Sequence, residues 1–299
     1  MTRLASTIAG LLILSTAGAQ ATPIGPHEVP NLDAAVFKVR AQGARGAVNN
    51  GSAVLIAPGK LITTCHVTRI AQSIQLSRGG ETWTAQTSFA DIPHDLCVLS
   101  APGLTGAVPA VLGALGDLNL GDRVTAVGYR PGGKLAVSSG HVKGLHPYHG
   151  APVLQVSAPF DHGQSGGALF DAQGRLVGIT AFKAVAGGDF HFALPLQWLP
   201  ESALRDGLPV ARDYATGEKA FWEQARGGQP LFLRAAALEA DGKWEALSDV
   251  AQEWSRADYT NPASWLALGR ALDRLKRVNE AAQAYARAAL LGPSAVSRP

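Results

Sequence analysis

From about Ala34 to Leu199 the apolar positions fall in short runs. Val36 to Val39, Ser52 to Ile56 and Lys60 to Thr63 come first. Val124 to Gly128, Val153 to Val156, Ala168 to Phe170, Leu176 to Thr180 and Phe190 to Ala193 follow. Gly and Pro separate nearly all of them, as at Asn49-Asn50-Gly51 and Pro58-Gly59, so each run predicts a strand closed by a turn. No long helical pattern intervenes, which argues for an all-β barrel or sandwich. From about Pro200 the period changes: apolar residues recur every three or four positions, and two helical segments are predicted, Gln229 to Glu253 and Ala263 to Leu291.

Glycine follows the same division. Of 34 glycines in the 299 residues, 27 precede residue 201, which marks the first part as turn-rich. Charged residues are only 16% and the net charge is +3, with no basic run. A nucleic-acid or membrane-surface role therefore has no compositional support. At the N-terminus Arg3 precedes an apolar run, Ile8 to Leu14, and then Ala19-Gln20-Ala21. A positive start, a short apolar core and an A-x-A site predict a secretory signal peptide over residues 1–21. The run is too short for a membrane anchor, which needs roughly 20 apolar residues. The mature protein is expected to be exported, periplasmic or secreted, where disulfides persist.

Three short stretches carry candidate chemistry. Gly51 to His66 reads as two strands joined by a tight turn, with His66 at the end of the second. Pro93-His94-Asp95-Leu96-Cys97-Val98-Leu99 puts an acid at the head of an apolar strand. Gly163-Gln164-Ser165-Gly166-Gly167 flanks a serine with glycines. Nucleophilic acyl transfer needs this set: a hydroxyl, an imidazole to take its proton, and a buried carboxylate to fix the imidazole. It also needs two backbone N–H groups for the oxyanion, here expected from Gly163 and Ser165. Asp91 is the competing acid, without the strand-heading context of Asp95.

The order His66, Asp95, Ser165, with gaps of 29 and 70 residues, resembles trypsin-like serine peptidases, and among them the bacterial HtrA/Deg branch. HDLCVL resembles the branch's aspartate motif and GQSGGALFD its serine motif. Leu120 to Tyr129, Val137 to Val142 and Phe190 to Pro195 resemble further strands of the domain. The resemblance covers residues 34–200. It implies two six-stranded barrels, peptide-bond hydrolysis in the cleft between them, and a catalytic set of His66, Asp95 and Ser165. By alignment Thr180, Ala181 and Phe182 run beside the substrate, while Pro159 and Phe160 line the specificity pocket. Pro159 stands where trypsin-type enzymes carry an acid, so apolar or small side chains are expected there. Lys183 is expected to narrow the pocket, and Asp161 is a possible acid for basic substrates. Gln164 replaces the aspartate that pairs with a cut N-terminus in pancreatic-type members, so no such clip is expected.

The C-terminal segment has its own resemblance. Trp265, Leu268, Gly269, Leu272, Ala281, Tyr285, Ala288 and Pro293 sit at the offsets of a 34-residue helix–turn–helix repeat. The stretch 229–295 resembles tetratricopeptide (TPR) repeats, the first copy degenerate; a plain helical hairpin is the alternative. HtrA/Deg proteins usually carry PDZ domains there instead. Two repeats leave apolar faces that need cover, by the β domain or by a partner protein. Residues 201–228 read as a linker. Residues 213–293 hold no nucleophile–base pair, so they are expected to position or regulate.

Cys65, His66, His94 and Cys97 together offer a zinc-type donor set, but metal there would consume the catalytic base. A disulfide between Cys65 and Cys97 is expected instead. His141, His146 and His149 read as a solvated loop cluster. No metal or other cofactor is assigned. The whole reads as an exported serine endopeptidase acting on protein or peptide substrates; the alternative is a catalytically silent protein that binds partners through its TPR segment.

Overall fold

The structure is a computed structural model and describes residues 32–184, 190–205 and 217–292. The signal-like segment 1–21, part of the 201–228 linker and Pro293 lie outside the described residues.

Two closed six-stranded antiparallel barrels come first. The first contains β1 (Val36–Gln42), β2 (Val48–Ala57), β3 (Lys60–Thr64), β4 (Ser73–Arg78), β5 (Glu81–Asp91) and β6 (Leu96–Ser100). The second contains β7 (Arg123–Tyr129), β8 (Leu135–Tyr148), β9 (Ala151–Val156), β10 (Ala168–Asp171), β11 (Leu176–Lys183) and β12 (His191–Leu194). Round the barrels the orders are β1-β2-β3-β6-β5-β4 and β10-β11-β12-β9-β8-β7. Closure leaves no free edge.

Every strand expected from the apolar runs is present. The runs miss β4, β5, β6 and β8; the Asp95 stretch and the Val137 to Val142 resemblance supply β6 and β8, and no reading supplies β4 or β5. β4 carries only two buried apolar residues, Ile74 and Leu76, and β5 reads ETWTAQTSFAD, whose polar residues hide the alternation. The tightest strands are those buried on both faces. In β6, paired on both edges by β3 and β5, all of Leu96 to Leu99 is fully buried.

A single helical turn, α1 (Cys65–Thr68), leaves the first barrel directly after β3. After the barrels come α2 (Leu231–Ala240), α3 (Trp244–Ala257), α4 (Pro262–Arg274) and α5 (Val278–Leu291). They form two helical hairpins. α4 has a full N-terminal signal: Asn261 accepts from the Ala263 N–H and Pro262 occupies the first turn. Gly269 of α4 lies under the Tyr285 ring of α5, where a Cβ would come within 2.6 Å of ring carbons. The small residue therefore sets how closely the two helices approach. No helix among the described residues is long and apolar enough to cross a membrane.

The first hairpin, α2 and α3, packs on the second barrel. His146 of β8 stacks on Phe232 of α2, ring centroids 4.6 Å apart and planes 4° apart, and also meets Trp254 of α3 and Phe192 of β12. This corrects the reading of His146 as a solvated loop residue: it is on a strand and buried, and the helices cover it. Its Nε2 meets Gln155 Oε1 at 2.9 Å. Burial depresses its pKa to about 4, with a smaller contribution in the same direction from Arg270.

The neutral imidazole at this seam makes the assembly acid-sensitive. With a folded pKa of about 4 against an ordinary 6.5, the unfolded chain binds the extra proton between those values, so stability falls as pH drops from about 6.5 to 4. The loss is on the order of 3 kcal/mol. His146→Phe keeps the stack and should flatten this acid limb in a melting series from pH 7 to 4; an unchanged slope in the variant would count against the assignment.

Candidate active site

The cleft is built where the chain of the first barrel grips the second. Ser52 of β2 makes four contacts there. Its N–H donates to the Ser165 carbonyl at 2.8 Å, and its carbonyl accepts from Thr63 Oγ1 at 2.7 Å. Its hydroxyl donates to the Gly163 carbonyl at 2.9 Å and accepts from the Tyr129 N–H at 2.8 Å. Nothing in the sequence pattern singled out this serine; its value lies in contacts 111 and 77 residues away.

The turn it holds runs from Asp161 to Gly167. The Gln164 N–H donates to the Asp161 carbonyl, and the Asp161 N–H donates back to Gln164 Oε1. Thr180 Oγ1 donates to the Gln164 carbonyl at 2.6 Å. Gly163 has φ +84°, the left-handed value that the third position of a type II turn requires, and a Cβ there would meet the Tyr129 carbonyl at 2.7 Å. Among the described residues no hydrogen bond uses the N–H of Gly163 or of Ser165. At Gly166, φ +83°, a Cβ would strike the Ser52 carbonyl. The glycines around Ser165 are therefore demanded by φ and by close backbone approach.

His66 and Asp95 face this turn from the first barrel. His66 Nδ1 is 2.7 Å from Asp95 Oδ2, and the His66 N–H donates to Asp95 Oδ1 at 2.8 Å. A carboxylate only accepts, so this contact keeps a proton on Nδ1 and leaves Nε2 for the cleft. The Asp95 side chain is 2% exposed and that of His66 is 19%. Asp95 has φ +60°, unusual for a residue with a Cβ. Its N–H is tied to the Ile92 carbonyl and its carbonyl to the Cys65 N–H, so neighbours on both sides hold it there.

Cys65, beside His66, is joined to Cys97, two residues past Asp95, by a disulfide. Their sulfurs are thus committed to each other, and no zinc-type cluster of His, Cys, Asp or Glu exists among the described residues. Asp91 is elsewhere. Its Oδ2 is 2.7 Å from His94 Nδ1, and His94 Nε2 is 2.9 Å from His149 Nδ1. The competing acid serves a separate chain that links the two barrels.

Ser165 Oγ donates to the Ala181 carbonyl at 2.9 Å. His66 and Ser165 line one cavity of about 280 Å³ with Phe160, Asp161, His162, Ala181, Phe182, Lys183 and Trp222. Phe160, Ala181 and Phe182 are thus brought together as aligned. Pro159 and Thr180 are not part of the lining. Pro159 is exposed and its carbonyl accepts from Ser138, while Thr180 is buried behind Ser165, bracing the Gln164 carbonyl. Lys183 Nζ is 3.1 Å from Asp161 Oδ1 at the rim. The His162 N–H and then the Lys183 ammonium hold the Asp161 carboxyl below its ordinary pKa.

Trp222 was missed by sequence reasoning. It comes from the stretch read as a linker, and its indole N–H donates to Asp95 Oδ2 at 3.1 Å. Nothing local marks it: the contact spans 127 residues.

Residues 51–179 match the trypsin-like peptidase domain. The chain is similar to the serine endoprotease DegS of Escherichia coli, 32% identical over 181 residues, covering 55% of this chain and 50% of DegS. It is similar to the anti-sigma-I factor RsgI9 of Acetivibrio thermocellus, 29% identical over 162 residues, covering 53% of this chain and 23% of that protein. The chain thus spans between a quarter and a half of the length of such relatives. Among solved structures, the HtrA-type protease AlgW with a tripeptide superimposes with a TM-score of 0.51 at 30% identity, covering 56% of this chain and 61% of that one. The Rv3671c protease of M. tuberculosis in its active form shares the fold, with a TM-score of 0.51 at 23% identity over 56% of this chain and 78% of that one. The peptidase-domain match lies within the two barrels and ends before the helical hairpins begin.

The disulfide closes a loop of 32 residues around His66 and Asp95. The chain-entropy account assigns it about 3–4 kcal/mol. The Cys65→Ser/Cys97→Ser double variant should therefore melt several degrees lower than the oxidised wild type in a calorimetric scan. Equal melting temperatures would show that the barrel interface alone holds this loop.

Proposed function

We propose that this protein is a serine endopeptidase that cuts protein or peptide substrates through Ser165, His66 and Asp95. The observation that carries the reading is the pairing of His66 with the buried Asp95 across one cavity wall from Ser165, inside a trypsin-like double barrel. In the reaction, Ser165 Oγ leaves the Ala181 carbonyl and turns to His66 Nε2. The imidazole takes its proton as Oγ attacks the scissile carbonyl. The N–H groups of Gly163 and Ser165 receive the oxyanion. His66 then protonates the leaving amine. Water, deprotonated by the same imidazole, hydrolyses the acyl-enzyme.

Asp95 keeps the ring in one tautomer and faces the imidazolium as it forms. Gln164 supports the reading that no N-terminal clip is needed, because it braces Asp161 through two reciprocal hydrogen bonds without any outside charge.

The cavity favours an apolar side chain before the scissile bond. Phe160, Phe182, Ala181 and Trp222 surround it, and the acid at the rim is already paired with Lys183. A basic side chain would have to displace that lysine. The N-terminal segment and the disulfide support export to an oxidising compartment. For the C-terminal hairpins, the TPR reading is supported by α3 and α5 starting 34 residues apart, at Trp244 and Val278, and by the Gly269–Tyr285 fit. They would hold a partner protein or a substrate.

The second reading, a silent binding protein acting through the hairpins, has one observation in its favour: the Ser165 hydroxyl donates to the Ala181 carbonyl. Labelling by a fluorophosphonate probe separates the two. The wild type should label and Ser165→Ala should not, with casein cleavage falling by 10³-fold or more. Unlabelled wild type, or a variant as active as wild type, would remove the peptidase reading. Asp95→Asn should cost a similar factor and Asp91→Asn less than about tenfold, since Asp91 does not touch His66.

On chromogenic peptides, aromatic or leucine side chains should exceed lysine in kcat/KM. Lys183→Ala should narrow that gap by freeing Asp161, and a wild-type preference for lysine would contradict the apolar pocket.

A further inference from the structure

Three consecutive residues, Phe221, Trp222 and Glu223, each grip a different wall of the cleft. The Phe221 N–H donates to the Pro93 carbonyl of the first barrel at 3.0 Å. Its ring is buried against Tyr148 and Phe182 of the second barrel and against Trp198. Glu223 forms a two-pronged ion pair with Arg69, both contacts 2.7 Å, three residues past His66. Hydrogen bonding raises the Arg69 pKa, and the same guanidinium holds Glu223 below its ordinary value against the opposing effect of burial. Between them Trp222 stacks on Phe182, centroids 4.7 Å apart and planes at 13°, and stands edge-on to the His66 ring at 5.3 Å and 84°. Its carbonyl accepts from Gln229 Nε2 at 2.6 Å, two residues before α2 begins.

The indole therefore occupies two roles at once. Its N–H supplies a donor to Asp95 Oδ2, the same oxygen that His66 Nδ1 uses. Its face is a wall of the cavity beside Ser165. We propose that Trp222 is a positioning residue for the Asp95–His66 pair and a specificity-determining wall of the substrate pocket, delivered by the stretch 217–229 that leads into the hairpins. The catalytic cleft is then completed by the C-terminal region and not by the two barrels alone. This rests on the peptidase reading above. The carboxylate is shut away from water, so a lost donor is not replaced cheaply by solvent.

The test compares full-length wild type, Trp222→Phe and Trp222→Ala on one chromogenic peptide with an aromatic residue before the scissile bond. The phenyl ring keeps an aromatic face toward Phe182 and loses the N–H together with the indole's five-membered ring. Trp222→Phe should lower kcat about tenfold, the size of one hydrogen bond to a charged group, with KM within about twofold of wild type. Trp222→Ala should show at least the same loss in kcat and a several-fold rise in KM. A split of this kind is not what general loosening gives, which would move both constants together in the order of the melting temperatures.

The low-field proton resonance of His66 Nδ1 supplies a second readout. It should shift in Trp222→Phe and be restored by no change elsewhere in the pocket. Wild-type kcat and an unshifted proton in Trp222→Phe would overturn the proposal. So would a rise in kcat/KM in Trp222→Ala, which would make the tryptophan a plug. A wild type that neither labels with fluorophosphonate nor cleaves the peptide would sink the peptidase reading itself, and this proposal with it.

Discussion

The grip of β2 on the serine turn is the contact on which the cleft depends. Ser52 uses its N–H, its carbonyl and both capacities of its hydroxyl to connect Thr63, Tyr129, Gly163 and Ser165. Of these, Thr63 lies in β3 of the first barrel, Tyr129 in β7 of the second, and Gly163 and Ser165 in the turn that carries the nucleophile. The barrels cannot slide along one another without breaking buried hydrogen bonds, each costly when left unmade in a dry interface. The geometry of Ser165 against His66 is therefore a property of the seam and not of either barrel. It also explains why the turn is so rich in glycine: backbone passes backbone at distances that leave no room for a Cβ at Gly163 or Gly166.

The same logic governs the acid. Asp95 is a buried carboxylate in a left-handed backbone conformation, two liabilities that cost free energy on their own. They are offset by what surrounds it. The backbone is tied at both ends, the disulfide fixes the neighbouring chain on either side, and the two oxygens accept from the His66 N–H, from His66 Nδ1 and from Trp222. Removing the His66 ring or Trp222 would leave Oδ2 in the dry wall with one donor in place of two. That dependence couples the acid to residues far apart in sequence.

How much of this was legible in the chain follows from the range of each interaction. Strand-forming runs, the glycine-flanked serine, the strand-heading aspartate and the cysteine pair are local patterns with local meaning, and they appear where expected. β4 and β5 were hidden because barrel strands with one face toward solvent need only two or three apolar residues, and a polar stretch such as ETWTAQTSFAD carries no visible period. Pro159 is aligned to the pocket wall, yet only side-chain direction decides lining, and Pro159 is exposed outside the cavity. His146 read as a loop residue because its flanking Gly and Pro suggested a turn, whereas β8 continues through them. Ser52 and Trp222 carry no motif at all, since what they do is defined by partners more than 70 residues distant.

The choice of tryptophan at position 222 has a chemical reason. A donor aimed at Asp95 Oδ2 must not compete for the proton that His66 needs. A hydroxyl donates and accepts, and an imidazole can titrate; either could share or trap that proton. Indole is a donor only, with no lone pair on its nitrogen available to accept, and it does not ionise in the working range. It is also broad enough to cover Phe182 with one face while its N–H reaches the carboxylate from the edge. A smaller donor would leave either the pocket wall or the acid uncovered. The stretch 217–229 therefore uses one side chain to finish two surfaces of the cleft, with Phe221 held by packing on one side and Glu223 by an ion pair on the other.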